Sequence, residues 1–284
     1  MTSEVITADL KATLRRLKLG RLLDTLPERL TLARQQAMTH QDFLLVVLSD
    51  EVSRRDTAAV SIRAAQAHLD PAMTLEQWDA SAKITYDRAL WNELASLRFI
   101  DAHAHVAIVG PVGVGKTFLA HALGWIACRK GSSVLCVAAD KMLKVLRHAR
   151  LDHTYEQELR RLIAVDLLIV DDFGLDALDP TESRDTYEIL SERHRSGSII
   201  VTSNRGPDEW LATFADPLRA QSAIDRFVNN AYDLVIDGES YRKRQKPSLD
   251  TPPASGEKSK PRRRRLNREH VTQDRDPCPG GECS

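Results

Sequence analysis

Gly110-Pro111-Val112-Gly113-Val114-Gly115-Lys116-Thr117 matches G-x-x-x-x-G-K-[ST] at every fixed position. The glycines let backbone N–H groups curl around an anion without Cβ clashes. The helix that reads as starting at Phe118-Leu119-Ala120 would aim its positive end at the same point. Lys116 is the point charge for the β- and γ-phosphates, and the Thr117 hydroxyl is the ligand offered to Mg²⁺. Phe118 opens the helical stretch that follows. The cofactors expected from this pattern are ATP and Mg²⁺.

Such a loop binds nucleotide without hydrolysing it. Leu168-Ile169-Val170-Asp171-Asp172 supplies the missing half, an apolar strand ending in acids about fifty residues downstream. In that pattern Asp171 holds Mg²⁺ through water, and Asp172 orients the attacking water or takes its proton. Ser198–Asn204 is a further apolar run ending in polar residues. The ligand crevice of a parallel sheet lies at the carboxyl ends of its strands, which gives Asn204 an address beside the γ-phosphate.

These residues need a scaffold, and the chain carries one. Apolar runs at 106–109, 133–138, 167–170, 198–204 and 232–236 alternate with helical patterns. Nearly continuous apolar strands with helices between them predict an α/β fold with a parallel sheet covered on both faces. The expected organisation is a small all-helical N-terminal domain over 1–70, a connector over 71–100, a P-loop ATPase core over 101–246 and a disordered, basic, proline-rich tail over 247–284. Within 8–38 the pattern predicts short amphipathic helices broken at Gly20, with Pro27 in the first turn of the second. Thr39 is the expected cap of a long helix ended by Asp70-Pro71. Another helix is expected from about Tyr86 to Leu97. Trp78 and Trp91 read as packing anchors.

Formal charge is zero over 284 residues, yet residues 241–284 hold twelve basic and six acidic side chains. Four arginines, Arg262–Arg265, sit in that tail, which either adds non-specific attraction to DNA or merely keeps the chain soluble. Lys141, Lys144 and Arg147 form one ridge of a helix, either a solvated face or a path for nucleic-acid phosphates. Cys128 and Cys136 lie among apolar residues and read as small hydrophobes, while Cys278 and Cys283 have a poor zinc spacing. His103, His105, His153 and His194 lack the company of further metal ligands. Met1–Leu10 has no signal-peptide pattern, and no apolar run approaches a membrane span. A cytoplasmic protein with no membrane partner is expected.

Taken together, the blocks Gly110–Thr117, "LLIVDDFG", "IIVTSN", "IDRF" and "GESYRKR" resemble the IstB-type ATP-binding helpers of bacterial transposons, in the AAA+ class. They are similar also to the replicative helicase loader DnaC. The resemblance covers about residues 5–246. It implies an AAA+ core without a separate C-terminal lid, Asn204 as the sensor on the fourth strand, and Arg226 as an arginine finger acting in trans on a neighbouring subunit's ATP in a homo-oligomer. Without the resemblance, Arg226 would read as one half of a surface ion pair with Asp225 or another acid. Arg242 matches the C-terminal block and would sense the γ-phosphate. The implied function is an ATPase that assembles on duplex DNA with ATP, presents that DNA to a cognate transposase, and is released or remodelled on hydrolysis. The alternative it implies is a helicase loader working on single strands. A monomeric P-loop phosphotransferase and a DNA scaffold with ATP as a structural ligand are the readings from other classes. Asp172 stands where the wider AAA+ class has Glu, which predicts slow turnover suited to a timing switch.

Overall fold

Apolar strands that are buried on both faces must alternate their side chains between two cores, and this chain does so. In the computed structural model, which describes residues 6–79, 81 and 84–241, the chain begins with α1 (Ala8–Arg16), α2 (Leu22–Gln35) and α3 (His40–Gln66). A short strand β1 (Ile84–Thr85) is followed by α4 (Arg88–Ala95) and α5 (Arg98–Asp101). Then come β2 (His105–Val109), α6 (Lys116–Lys130), β3 (Val134–Ala138), α7 (Ala139–Leu151), α8 (Tyr155–Ala164) and β4 (Leu167–Phe173). The described chain ends with α9 (Pro180–Arg193), β5 (Ser198–Ser203), α10 (Pro217–Val228), β6 (Ala231–Val235) and β7 (Asp237–Gly238).

The main sheet has the order β3-β4-β5-β2-β6, every pair parallel. Val106, Ile108, Leu167, Ile169 and Ile200 pack on one side with α6 and the end of α3. Ala107, Leu168, Val170, Ile199 and Val201 pack on the other with α7, α9 and α10. The expected α/β fold with a parallel sheet covered on both faces is the fold found. β1 and β7 pair separately and antiparallel.

Thr39 caps α3, its hydroxyl accepting from the Asp42 N–H at 3.2 Å. The helix stops at Gln66, ahead of Asp70-Pro71, because His68 takes a left-handed φ of 58°. The helix expected from Tyr86 to Leu97 is shorter: the Asp87 side chain caps it, and Leu97 turns left-handed behind it.

Pro27 departs from expectation. It is the sixth residue of α2, not a first-turn residue. Local bonds from the Leu22, Leu23 and Asp24 N–H groups to Leu19, Gly20 and Arg21 wind a turn ahead of it. An interior proline costs about 3 kcal/mol. Leu22 and Leu26 are buried against Val47 of α3, each contributing about 1.5–3 kcal/mol, which offsets that cost.

The C-terminal part of α3 is packed into the same core as the phosphate-loop helix. Ala64, Ala67 and Leu69 share the cluster that contains Leu119 and Leu123. Arg63 donates to the Cys128 carbonyl at 3.0 Å, and the Ala67 carbonyl accepts from the Cys136 N–H at 2.8 Å. A Cβ on Gly124 of α6 would meet the Leu69 Cδ2 at 2.8 Å, so the absent side chain is what admits the close approach. The expectations for the tail over 247–284, for Arg242 and for a missing lid fall outside the described residues. Among the described residues no helix is long and apolar enough to cross a membrane.

Candidate functional site

The loop Gly110–Thr117 leaves the end of β2 and enters α6, the strand–loop–helix context that the motif requires. Gly115 is the residue before α6 and has φ 99°, a left-handed value open to glycine. A Cβ there would also stand 3.1 Å from the Trp78 ring. Lys116 is buried, and its Nζ donates to the Gly110 carbonyl at 2.8 Å, the Pro111 carbonyl at 2.8 Å and Asn204 Oδ1 at 2.6 Å.

Asn204 reaches Lys116 because β5 pairs with β2 on one side and β4 on the other. The strand thus lies between the phosphate-loop strand and the acidic strand, and its carboxyl end meets both. Thr117 Oγ1 donates to Asp171 Oδ1 at 3.0 Å, joining α6 to β4. Thr202 Oγ1 donates to the same oxygen, and it accepts from the Asp172 N–H at 2.9 Å. A hydroxyl and a carboxylate at this separation are hard oxygen donors of the kind Mg²⁺ takes, so the residues fit that ion.

A cleft of about 660 Å³ opens here, lined by 112–118, Asp172, Asn204 and Tyr241, with connector residues forming the opposite wall. In that wall the Trp78 ring lies 5.1 Å from Phe118, centre to centre. Trp78 is therefore part of the pocket as well as a packing residue, and Trp91 is buried in the core. The connector is tied to α6 through His121, whose Nδ1 accepts from the Asp70 N–H at 3.1 Å. Its Nε2 lies 3.4 Å from Cys136 Sγ. Burial holds the imidazole pKa below its usual value and pushes the Cys136 thiol up to about 12, so both stay neutral. Cys128 is buried too, so both cysteines pack as hydrophobes as expected.

Arg226 does not line this cleft. It sits on α10, where Nη1 donates to Ser191 Oγ at 2.7 Å and to the Tyr187 hydroxyl at 3.1 Å, both on α9. Those hydroxyls stand where the sequence suggested an acid. The basic ridge of α7 is largely matched by acids: Lys144 bonds Asp140, Arg147 bonds Asp179 and Glu182, and Arg150 bonds Asp185. The charge of these three side chains is balanced locally. His105 is buried and stacked on Phe227 at 5.2 Å, a packing role. No cluster of three His, Cys, Asp or Glu suited to a metal occurs among the described residues.

Sequence reasoning singled out Gly110–Phe118, Asp171, Asp172 and Asn204, and these come together. It missed the Thr202 hydroxyl and the Trp78 ring. Thr202 stood in a quoted block, but nothing in a strand pattern says which neighbour its hydroxyl meets.

Likenesses to known proteins bear on this chain. The model of the family described as IstB-like ATP binding protein matches residues 12–248. A protein of Mycobacterium tuberculosis, named for ATP binding and for the insertion sequence that contains it, is 37% identical over 243 residues, 85% of this chain and 97% of the relative. A Pseudomonas aeruginosa protein, named for ATP binding in insertion sequence IS21, is 34% identical over 238 residues, 84% of this chain and 90% of the relative. Among solved structures, DnaI matches with a TM-score of 0.51 at 23% identity over 58% of this chain and 90% of that one, a likeness of fold.

Proposed function

Because the chain belongs to the family of IstB-like ATP-binding proteins, we propose that it is an ATP-hydrolysing helper of a transposase. With ATP it assembles as a homo-oligomer on duplex target DNA and presents that DNA to the transposase. Hydrolysis then releases or remodels the assembly. The observation that carries this reading is the junction of the phosphate loop with two strands, in which Lys116 meets Asn204 and Thr117 meets Asp171. The names of the relatives, which tie them to insertion sequences, support the transposition setting.

In this reading Lys116 exchanges carbonyl and amide partners for the β- and γ-phosphates. Thr117 and Asp171 hold Mg²⁺, which would neutralise phosphate charge. Asp172 orients the attacking water and takes its proton. Asn204, already bonded to Lys116, registers the γ-phosphate, and Arg242 is a second sensor. Arg226 acts across a subunit boundary, supplying positive charge as negative charge shifts in the transition state.

The test is the mass of the full chain by light scattering with ATP and Mg²⁺, on duplex and on single-stranded DNA, together with phosphate release. ATP-dependent growth on duplex and measurable hydrolysis are expected. Assembly on single strands only would favour a helicase loader, and a monomer under all conditions would overturn the reading.

A further inference from the structure

The two acids at the end of β4 lie on an irregularity in the sheet. From Leu167 to Val170 the strand is in step with Ser198 to Val201 of β5. Beyond it the register slips, so that Phe173 faces Ser203. Asp171 and Asp172 together therefore oppose the single residue Thr202, which is a β-bulge. Asp172 takes up the extra length by turning left-handed, with φ 56°. Few residues with a side chain adopt that conformation, and Asp and Asn are the commonest after glycine.

A bulge leaves one backbone N–H without its ladder partner, and that donor must bond elsewhere or face water. Here the Asp172 N–H donates to the Thr202 hydroxyl. The same hydroxyl donates its own proton to Asp171 Oδ1, the oxygen that also accepts from Thr117. Thr202 itself is fully buried, which shields its end of both bonds from solvent. One side chain thus holds the carboxylate of the first acid and the backbone of the second.

We infer that Thr202 is a positioning residue: its hydroxyl locks the bulge that aims Asp172 into the cleft and fixes the Asp171 carboxylate beside Thr117. The inference rests on the reading of Asp171 and Asp172 as the acids of an ATP hydrolysis site. It also explains the aspartate at 172. The left-handed bulge suits Asp, and the bulge, not a longer side chain, sets the carboxyl's position.

The experiment compares the full chain with its Thr202→Val, Thr202→Ser and Asp172→Glu variants. It measures steady-state phosphate release, binding of a fluorescent ATP analogue, and deuterium exchange at the Asp172 amide. Thr202→Val is expected to lower kcat about tenfold or more while KM for ATP stays within about threefold, and to speed exchange at that amide. Thr202→Ser, which keeps the hydroxyl, is expected to restore both. Asp172→Glu is expected to lower turnover.

An unchanged kcat in Thr202→Val would overturn the inference. So would equal losses in the Val and Ser variants, which would make bulk, not the hydroxyl, the cause. A gain in turnover from Asp172→Glu would overturn the account of residue 172. Should Thr202→Val fail to fold, Thr202→Ala provides the same comparison with less steric demand. Should the unaltered chain bind the analogue without releasing phosphate, the proposed activity would fail by itself. The exchange measurement still decides the lock: faster exchange in Thr202→Val supports it, and unchanged exchange refutes it.

Discussion

Lys116 carries the only charge that the phosphate loop itself brings to the cleft, so its loss should be felt first in binding. Lys116→Ala is expected to weaken ATP binding by about 100-fold, about 3 kcal/mol for a charged contact, read by titration calorimetry. Asp172→Asn keeps a residue that tolerates the left-handed conformation. It should bind ATP normally and lose turnover by about 100-fold, the contribution of a general base. Arg226→Ala should leave ATP binding by the single chain unchanged and lower hydrolysis in the assembly by about 1000-fold. Mixing it with Lys116→Ala should recover part of the activity, since each subunit would then supply what the other lacks. At this scale the sequence was most informative where the chemistry is local. Lys116 and Thr117 belong to one eight-residue motif. The Thr202 hydroxyl and the Trp78 ring were hidden because their partners lie some thirty to forty residues away along the chain.

Among the elements, the strands announced themselves as apolar runs, and β2, β3, β5 and β6 lie within a residue of where those runs fall, while β4 continues three residues past its run, through Asp171 and Asp172 to Phe173. Their order did not, because strand pairing is settled by contacts distant in sequence. That β5 separates β2 from β4 is what brings Asn204 to Lys116, and no local pattern encodes it. Pro27 misled for a related reason: its local preference was overridden by burial of Leu22 and Leu26. Helix α3 offers a test by pH. Glu51 is buried and accepts from Arg54 and Arg55, while Arg55 also donates to the Lys18 carbonyl and so ties α3 to the turn after α1. These bonds, first from Arg54 and then from Arg55, lower the Glu51 pKa from 4.5 to about 2. A carboxyl with a depressed pKa contributes stability that is complete above its unfolded value and lost as the pH falls through the folded one. The contribution of Glu51 should be intact above about pH 4.5 and vanish towards pH 2. Thermal unfolding of Glu51→Gln should accordingly show a flatter acid limb than the unaltered chain.

For the molecule as a whole, α3 runs from the small leucine cluster with α2 into the core around α6. Its 27 residues span about 40 Å. A tilt of about 5° at the docked end would carry the far end through about 3.5 Å. The Asp70 N–H on His121, the Trp125 indole on the Asp70 carbonyl and the Leu69 side chain against Gly124 all lie at the docked end, on the helix that starts at Lys116. A helix fastened in this way joins the helix behind the nucleotide loop to the leucine cluster with α2. Thermodynamic reciprocity then governs both ends. If a partner bound at residues 8–35 tightened the hold on ATP by about tenfold, ATP would tighten the hold on that partner by the same factor. The far end of α3 would in that case be a gauge by which the cleft registers a bound partner.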